Sequence, residues 1–139
     1  MFASLFFALL DPTSGRLSYI NGGHEPPVVF NDGGIKGRLE PSAPVIGIVA
    51  DIDISVMHTR LEPGDTLLAF TDGVTEALSA DEQRFTEDRL LSMLGRSQSA
   101  AELLERIVGA LRTHASGAKQ FDDITMMAVR RHTGTTALR

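Results

Sequence analysis

The feature that most constrains the fold is a change of hydrophobic period partway along the chain, followed by a return to the first period. Through residue 70 the apolar residues fall in short runs and alternations, separated by turns rich in Gly, Pro, Asn and Asp. That is the pattern of β-structure. Between residues 86 and 111 the apolar residues recur at helical spacing instead. Residues 124–129 are again a strand-like run, so a strand that follows the helices must come back to the sheet. An α+β layered domain is the expected outcome.

Residues 2–10 are a continuous apolar run, expected as a strand covered on both faces. Asp11-Pro12-Thr13-Ser14-Gly15 is a turn in which Pro presets φ and Gly accepts a positive φ, so residues 2–20 read as a hairpin. Asn21-Gly22-Gly23-His24-Glu25-Pro26-Pro27 interrupts it. Val28-Val29-Phe30 is a short strand, and Asn31-Asp32-Gly33-Gly34 turns the chain into a return strand over residues 35–39. Residues 41–44 are loop, residues 45–49 strand or turn, and residues 54–61 a strand. Glu62-Pro63-Gly64-Asp65 is a tight turn into Thr66-Leu67-Leu68-Ala69-Phe70, the central buried strand.

A short helix is expected over residues 74–78. Thr86-Glu87-Asp88 opens a second helix, which Gly95 ends, and Ser99 starts a capping box with Glu102. Ala100, Leu103, Leu104, Ile107, Val108 and Leu111 form one apolar stripe, read as the face that packs on the sheet. Residues 132–139 read as a disordered tail behind a single domain over residues 1–131.

A chain of 139 residues is long enough to bury a real core. Its net charge of -5, with no cluster of Lys and Arg, argues against general nucleic-acid binding. The absence of Cys excludes disulfides, thiolate metal sites and a cysteine nucleophile. It is compatible with the cytoplasm, the expected compartment. The apolar opening lacks a basic n-region, runs into a turn where a cleavage site would stand, and is about half the length that spans a bilayer. It reads as a strand, and no membrane span is expected.

Chemistry concentrates in two motifs, Phe70-Thr71-Asp72-Gly73-Val74-Thr75-Glu76-Ala77 and Phe121-Asp122-Asp123-Ile124-Thr125. A carboxylate at a strand end is poorly suited to a core, because an unpaired buried charge is costly. Two such motifs are what a hard divalent cation requires, since Mg²⁺ and Mn²⁺ prefer oxygen ligands. Gly73 permits close approach of the backbone. Each motif also has a bland reading: Asp72 as a helix N-cap, and Asp122-Asp123 as a solvated pair in a loop. No Gly-x-Ser-x-Gly elbow or nucleotide-binding loop competes, and His24, His58, His114 and His132 lack zinc spacing. His24 is read chiefly as shaping its turn, with a catalytic or substrate-contacting role as the alternative.

Taken in order, the segment from Gly15 through His24 to Pro27, then Glu62-Pro63-Gly64-Asp65, Thr71-Asp72-Gly73-Val74-Thr75-Glu76-Ala77 and Phe121-Asp122-Asp123-Ile124-Thr125, resemble the SpoIIE-type branch of the metal-dependent (PPM) serine/threonine phosphatases. The resemblance covers residues 2–131. It implies two stacked antiparallel sheets flanked by helices, with two Mn²⁺ or Mg²⁺ ions at one edge. A metal-activated water would attack a phosphoserine or phosphothreonine in line. By position, Asp72 and Asp122 resemble two ligands of one ion, and Asp123 a residue that orients them; Gly73 and His24 are supporting residues.

The implied substrate is a phosphorylated anti-anti-sigma (STAS-domain) protein, and the implied companion is a sensor or receiver domain upstream. The family's metal-bridging Asp precedes the segment that begins at Phe2, and nothing ahead of Asp11 is acidic. The sandwich is therefore expected to be N-terminally incomplete, and the isolated chain to show little activity. The alternative is a non-catalytic regulatory module lacking the bridging half of the site. Exposed strand edges would favour a homo-oligomer.

Overall fold

The computed structural model describes residues 1–95, 98–119 and 123–133, which contain seven strands and three helices. Strands β1 (Leu5–Leu10) and β2 (Arg16–Gly22) form the expected hairpin. Its turn is held by the Asp11 carboxylate, which accepts from the Thr13 amide at 2.9 Å and the Ser14 hydroxyl at 2.8 Å. Gly15 closes the turn at φ +79°, against the carbonyl of Leu61. Next come β3 (Val28–Asn31), β4 (Gly34–Arg38), β5 (Met57–Arg60) and β6 (Thr66–Phe70), and, after the helices, β7 (Met126–Arg130). Two antiparallel sheets result, one ordered β1-β2-β5 and the other β4-β3-β6-β7. The last strand does return to the sheet, beside β6.

Alternation along the strands divides the core in two. Leu67 and Val29 face the smaller sheet and meet Leu17, Tyr19, Leu39 and Leu61. Leu68, Phe70, Val28 and Phe30 face the other way, toward Leu90, Leu103, Ile107 and Leu111. Those last residues belong to α2 (Glu87–Ser92) and α3 (Ala100–His114). Thus β6 is buried along its whole length, as the apolar run Leu67–Phe70 implies. The α3 stripe is narrower than expected, with Leu103, Ile107 and Leu111 fully buried and Leu104 and Val108 half-buried. Three such side chains contribute about 1.5–3 kcal/mol each. That outweighs the cost of Gly109 in mid-helix, about 1 kcal/mol.

Several expectations are corrected. The first strand is shorter than residues 2–10 and is covered on one face only: Phe6 and Ala8 pack inward, while Leu5, Phe7 and Leu9 are 42%, 53% and 65% exposed. The cause is position, because β1 is an edge strand of a sheet whose outer face no described element covers. The strand expected over 54–61 shrinks to β5, whose only ladder is with β2. The helix expected to end at Gly95 stops at Ser92, with Met93 as C-cap. The final strand starts at Met126, two residues later than the apolar run suggests.

Buried polar groups lock the loops. Asp65, 1% exposed, accepts from Lys36 Nζ at 2.5 Å, the Glu62 amide at 2.9 Å and Asn31 Nδ2 at 3.2 Å. Arg131 donates to the carbonyls of Ser14, Leu61 and Thr13, tying the end of β7 to the first hairpin. No helix among the described residues is long and apolar enough to cross a membrane. Of the expected tail, residues 134–139 lie outside the described residues.

Candidate metal centre

The first motif sits where the central strand leaves the core. Thr71 follows β6, and helix α1 (Asp72–Thr75) begins immediately, turning the chain away from the sheet. Residues 74–78 were the expected helix; the observed one starts two residues earlier and is a single turn. Asp72 is therefore its first helical residue, and Thr71 occupies the N-cap position without a side-chain cap. The N-cap reading of Asp72 is thereby excluded. Its carbonyl accepts from the Glu76 amide at 2.9 Å and the Thr75 hydroxyl at 3.2 Å. Its carboxylate is exposed and has no hydrogen bond or ion pair among the described residues.

Pairing of β6 with β7 continues past the strand ends and brings in the second motif. The Thr71 amide donates to the Thr125 carbonyl at 3.0 Å, and the Thr125 amide donates to Thr71 Oγ1 at 3.1 Å. That same hydroxyl donates to the Asp123 carbonyl at 3.1 Å. Gly73 then lies directly against Asp123: a Cβ on Gly73 would fall 2.3 Å from the Asp123 carbonyl oxygen. The glycine is required here by contact, since any side chain would force the two segments apart.

Asp72, Gly73 and Asp123 are thus brought to one edge of the four-stranded sheet. Asp122 lies outside the described residues. Among the described residues, no three His, Asp or Glu side chains converge in a cluster able to hold a metal. The donor chemistry at this edge does fit a hard cation. It offers an exposed carboxylate with oxygen donors only, and no basic side chain among the described residues is ion-paired with it.

His24 is set apart from this arrangement by its own contacts. Its ring Nδ1 donates to the Glu25 carbonyl at 2.8 Å, and its ring packs 6.4 Å from that of Phe6. Its amide donates at 2.8 Å to Oδ1 of Asn21, a fully buried side chain whose Nδ2 donates to the Leu39 carbonyl. The turn-shaping reading of His24 accounts for these contacts, and none reaches Asp72.

Sequence reasoning passed over Asn21, Thr71 and Thr125. The available signal was the placement of a Thr at the sheet end of each aspartate motif. The Ser14 hydroxyl, then the Thr13 amide, lower the pKa of the Asp11 carboxyl, while burial and then the charge of Glu40 raise that of Tyr19.

Comparison with known proteins places this geometry in context. Residues 1–132 match the family model of stage II sporulation protein E (SpoIIE). The chain is 43% identical over 133 residues to Protein IcfG of Synechocystis sp., covering 95% of this chain and 21% of that protein. It is 29% identical over 139 residues to the phosphoserine phosphatase RsbU of Bacillus subtilis, covering 94% of this chain and 39% of RsbU. The phosphatase domain of SpoIIE from Bacillus subtilis, in a Mn-presoaked structure, superposes with a TM-score of 0.70 at 20% identity. That match covers 97% of this chain and 59% of the other. The chain therefore spans well under half of these curated relatives and about three fifths of that solved domain.

Proposed function

Because the chain belongs to the SpoIIE family of PP2C-type protein serine/threonine phosphatases, we propose that its aspartate edge is the metal-holding part of a phosphoserine hydrolase. The observation that carries this reading is the stitching of Thr71 to Thr125 and Asp123, with Gly73 flush against Asp123. That contact joins two motifs fifty residues apart, and the Asp72 carboxylate has no hydrogen bond or ion pair among the described residues. Structural support would otherwise be the simplest use of such a side chain, and among the described residues the Asp72 carboxylate makes no supporting hydrogen bond or ion pair.

In this mechanism Asp72 and Asp122 hold Mn²⁺ or Mg²⁺, and Asp123 orients that pair through the backbone contact with Gly73. When bound, the ions lower the pKa of a coordinated water and neutralise charge on the phosphoryl oxygens. The protein's share is placement. The stiff, fully buried β6 fixes the start of α1, and the threonine stitch sets its distance from the second motif. His24 acts at one remove by shaping the turn that leads into β3.

The substrate class is a phosphoserine protein, and the resemblance to partner-switching phosphatases favours a STAS-type anti-anti-sigma factor. Regulation through a sensor or receiver domain and a cytoplasmic location complete the reading.

Two measurements on the whole protein test it. Mn²⁺-dependent release of phosphate from a phosphoserine substrate should be abolished in Asp72→Asn and in Asp122→Asn, and removing metal with EDTA should have the same effect. Calorimetric titration should show weaker Mn²⁺ binding in both variants. Retained turnover in both would reject the site. Partner binding without any metal-dependent turnover would assign the chain to the non-catalytic alternative.

A further inference from the structure

One wall of the aspartate edge opens into a second feature that the metal chemistry does not use. A cavity of about 410 Å³ lies beside Gly73, between the segment after α1 and the C-terminal end of α3. Its apolar surface comes from Ala77, Leu78, Ala115, Ala118 and Ile124. Three cations, Arg84, Arg112 and Lys119, and one carboxylate, Glu76, also line it. Arg112 and Lys119 have no hydrogen bond or ion pair among the described residues. Arg84 makes only a loose, exposed contact with Glu76, 3.5 Å apart, of a kind worth little in water. Three cations around one hollow stand out on a chain of net charge -5.

We propose that this cavity is the subsite that reads the residues flanking the phosphoserine, taking an apolar side chain of the substrate polypeptide with adjacent carboxylates on the cationic rim. The choice of ligand rests on the phosphatase reading above. Continuity favours it, because Gly73 belongs both to the cavity wall and to the contact with Asp123. A polypeptide whose phosphoserine reaches the aspartate edge has this opening beside it, at Gly73. The mixed lining argues for such a segment over a small anion, since free phosphate would leave the apolar floor unfilled. The volume is that of an ordinary ligand pocket.

Fluorescence anisotropy on the 139-residue chain in EDTA reads this subsite separately from any metal. The probes are labelled phosphoserine peptides carrying Leu and two Glu beside the phosphoserine, and matched peptides with Lys for Glu or Ser for Leu. The acidic, Leu-containing peptide should bind about tenfold tighter than either control, the equivalent of two surface ion pairs for the Lys peptide and of partial burial of one Leu side chain for the Ser peptide. That preference should vanish in Arg112→Glu combined with Lys119→Glu, two exposed positions where folding is not at stake. Ala118→Trp, which fills the cavity, should remove the preference for Leu.

Equal binding of all three peptides, or a preference that survives these substitutions, would overturn the proposal. Displacement by millimolar inorganic phosphate as effective as by unlabelled peptide would also overturn it, in favour of a small-anion pocket. A Mn²⁺-dependent gain in affinity, lost in Asp72→Asn, reports on the metal reading alone, so the two ideas fail separately.

Discussion

Gly73 has no room for a side chain. A Cβ there would fall 2.3 Å from the carbonyl oxygen of Asp123 and 3.0 Å from its carbonyl carbon, both backbone atoms that cannot swing aside. Ala at this position must separate the two motifs or shift β7. We expect Gly73→Ala to cost about 1–3 kcal/mol, the usual range for overpacking, and to weaken Mn²⁺ binding although no ligand has changed. Urea denaturation and calorimetric Mn²⁺ titration check both parts; wild-type values in both would show that the close approach constrains nothing. The place of Asp72 and Gly73 at the end of a buried strand was legible in the sequence. The partnership between Gly73 and Asp123 was not, because it depends on the register of β6 against β7.

At the scale of the element, local signals transferred well where they named a cap and poorly where they named a length. Ser99 and Glu102 form the full capping box: the Glu102 amide donates to the Ser99 hydroxyl at 3.1 Å, and the Ser99 amide donates to the Glu102 carboxylate at 2.8 Å. Ser99→Ala should destabilise the protein by about 1 kcal/mol, and Ser99→Asp should restore most of that loss. Chemical denaturation of the two variants decides the matter, and an Ala variant as stable as wild type would show the box to be idle. Strand ends behaved differently. Apolar runs at residues 2–10 and 124–129 mark where a strand is affordable, but a strand extends only as far as its neighbour pairs with it, as β1 with β2 and β7 with β6.

At the scale of the molecule, the sandwich has one covered flank and one open one. Helices α2 and α3 close the four-stranded sheet, while Leu5, Phe7 and Leu9 stand exposed on the outer face of the three-stranded sheet. An edge strand with apolar residues on its open face is prone to pairing. The chain should therefore self-associate as its concentration rises, and Phe7→Thr with Leu9→Thr, which keeps β propensity, should reduce this. Sedimentation velocity is the check, and a single monomeric species at high concentration in the unmodified chain would contradict it.

The α+β class, the hairpin, the central strand, the capping box and the two aspartate motifs followed from the sequence by itself, because each rests on contacts within a few residues or on a local hydrophobic period. Tertiary structure alone decided which face of β1 is open, that Asp72 begins a helix without capping it, that Thr71 stitches the motifs together, and that a cation-rimmed cavity lies beside Gly73. The threonine stitch joins residues 52 and 54 positions apart, and the cavity gathers residues 73–84 with residues 112–124. Distances of that kind are set by sheet register and helix docking, which no local pattern encodes.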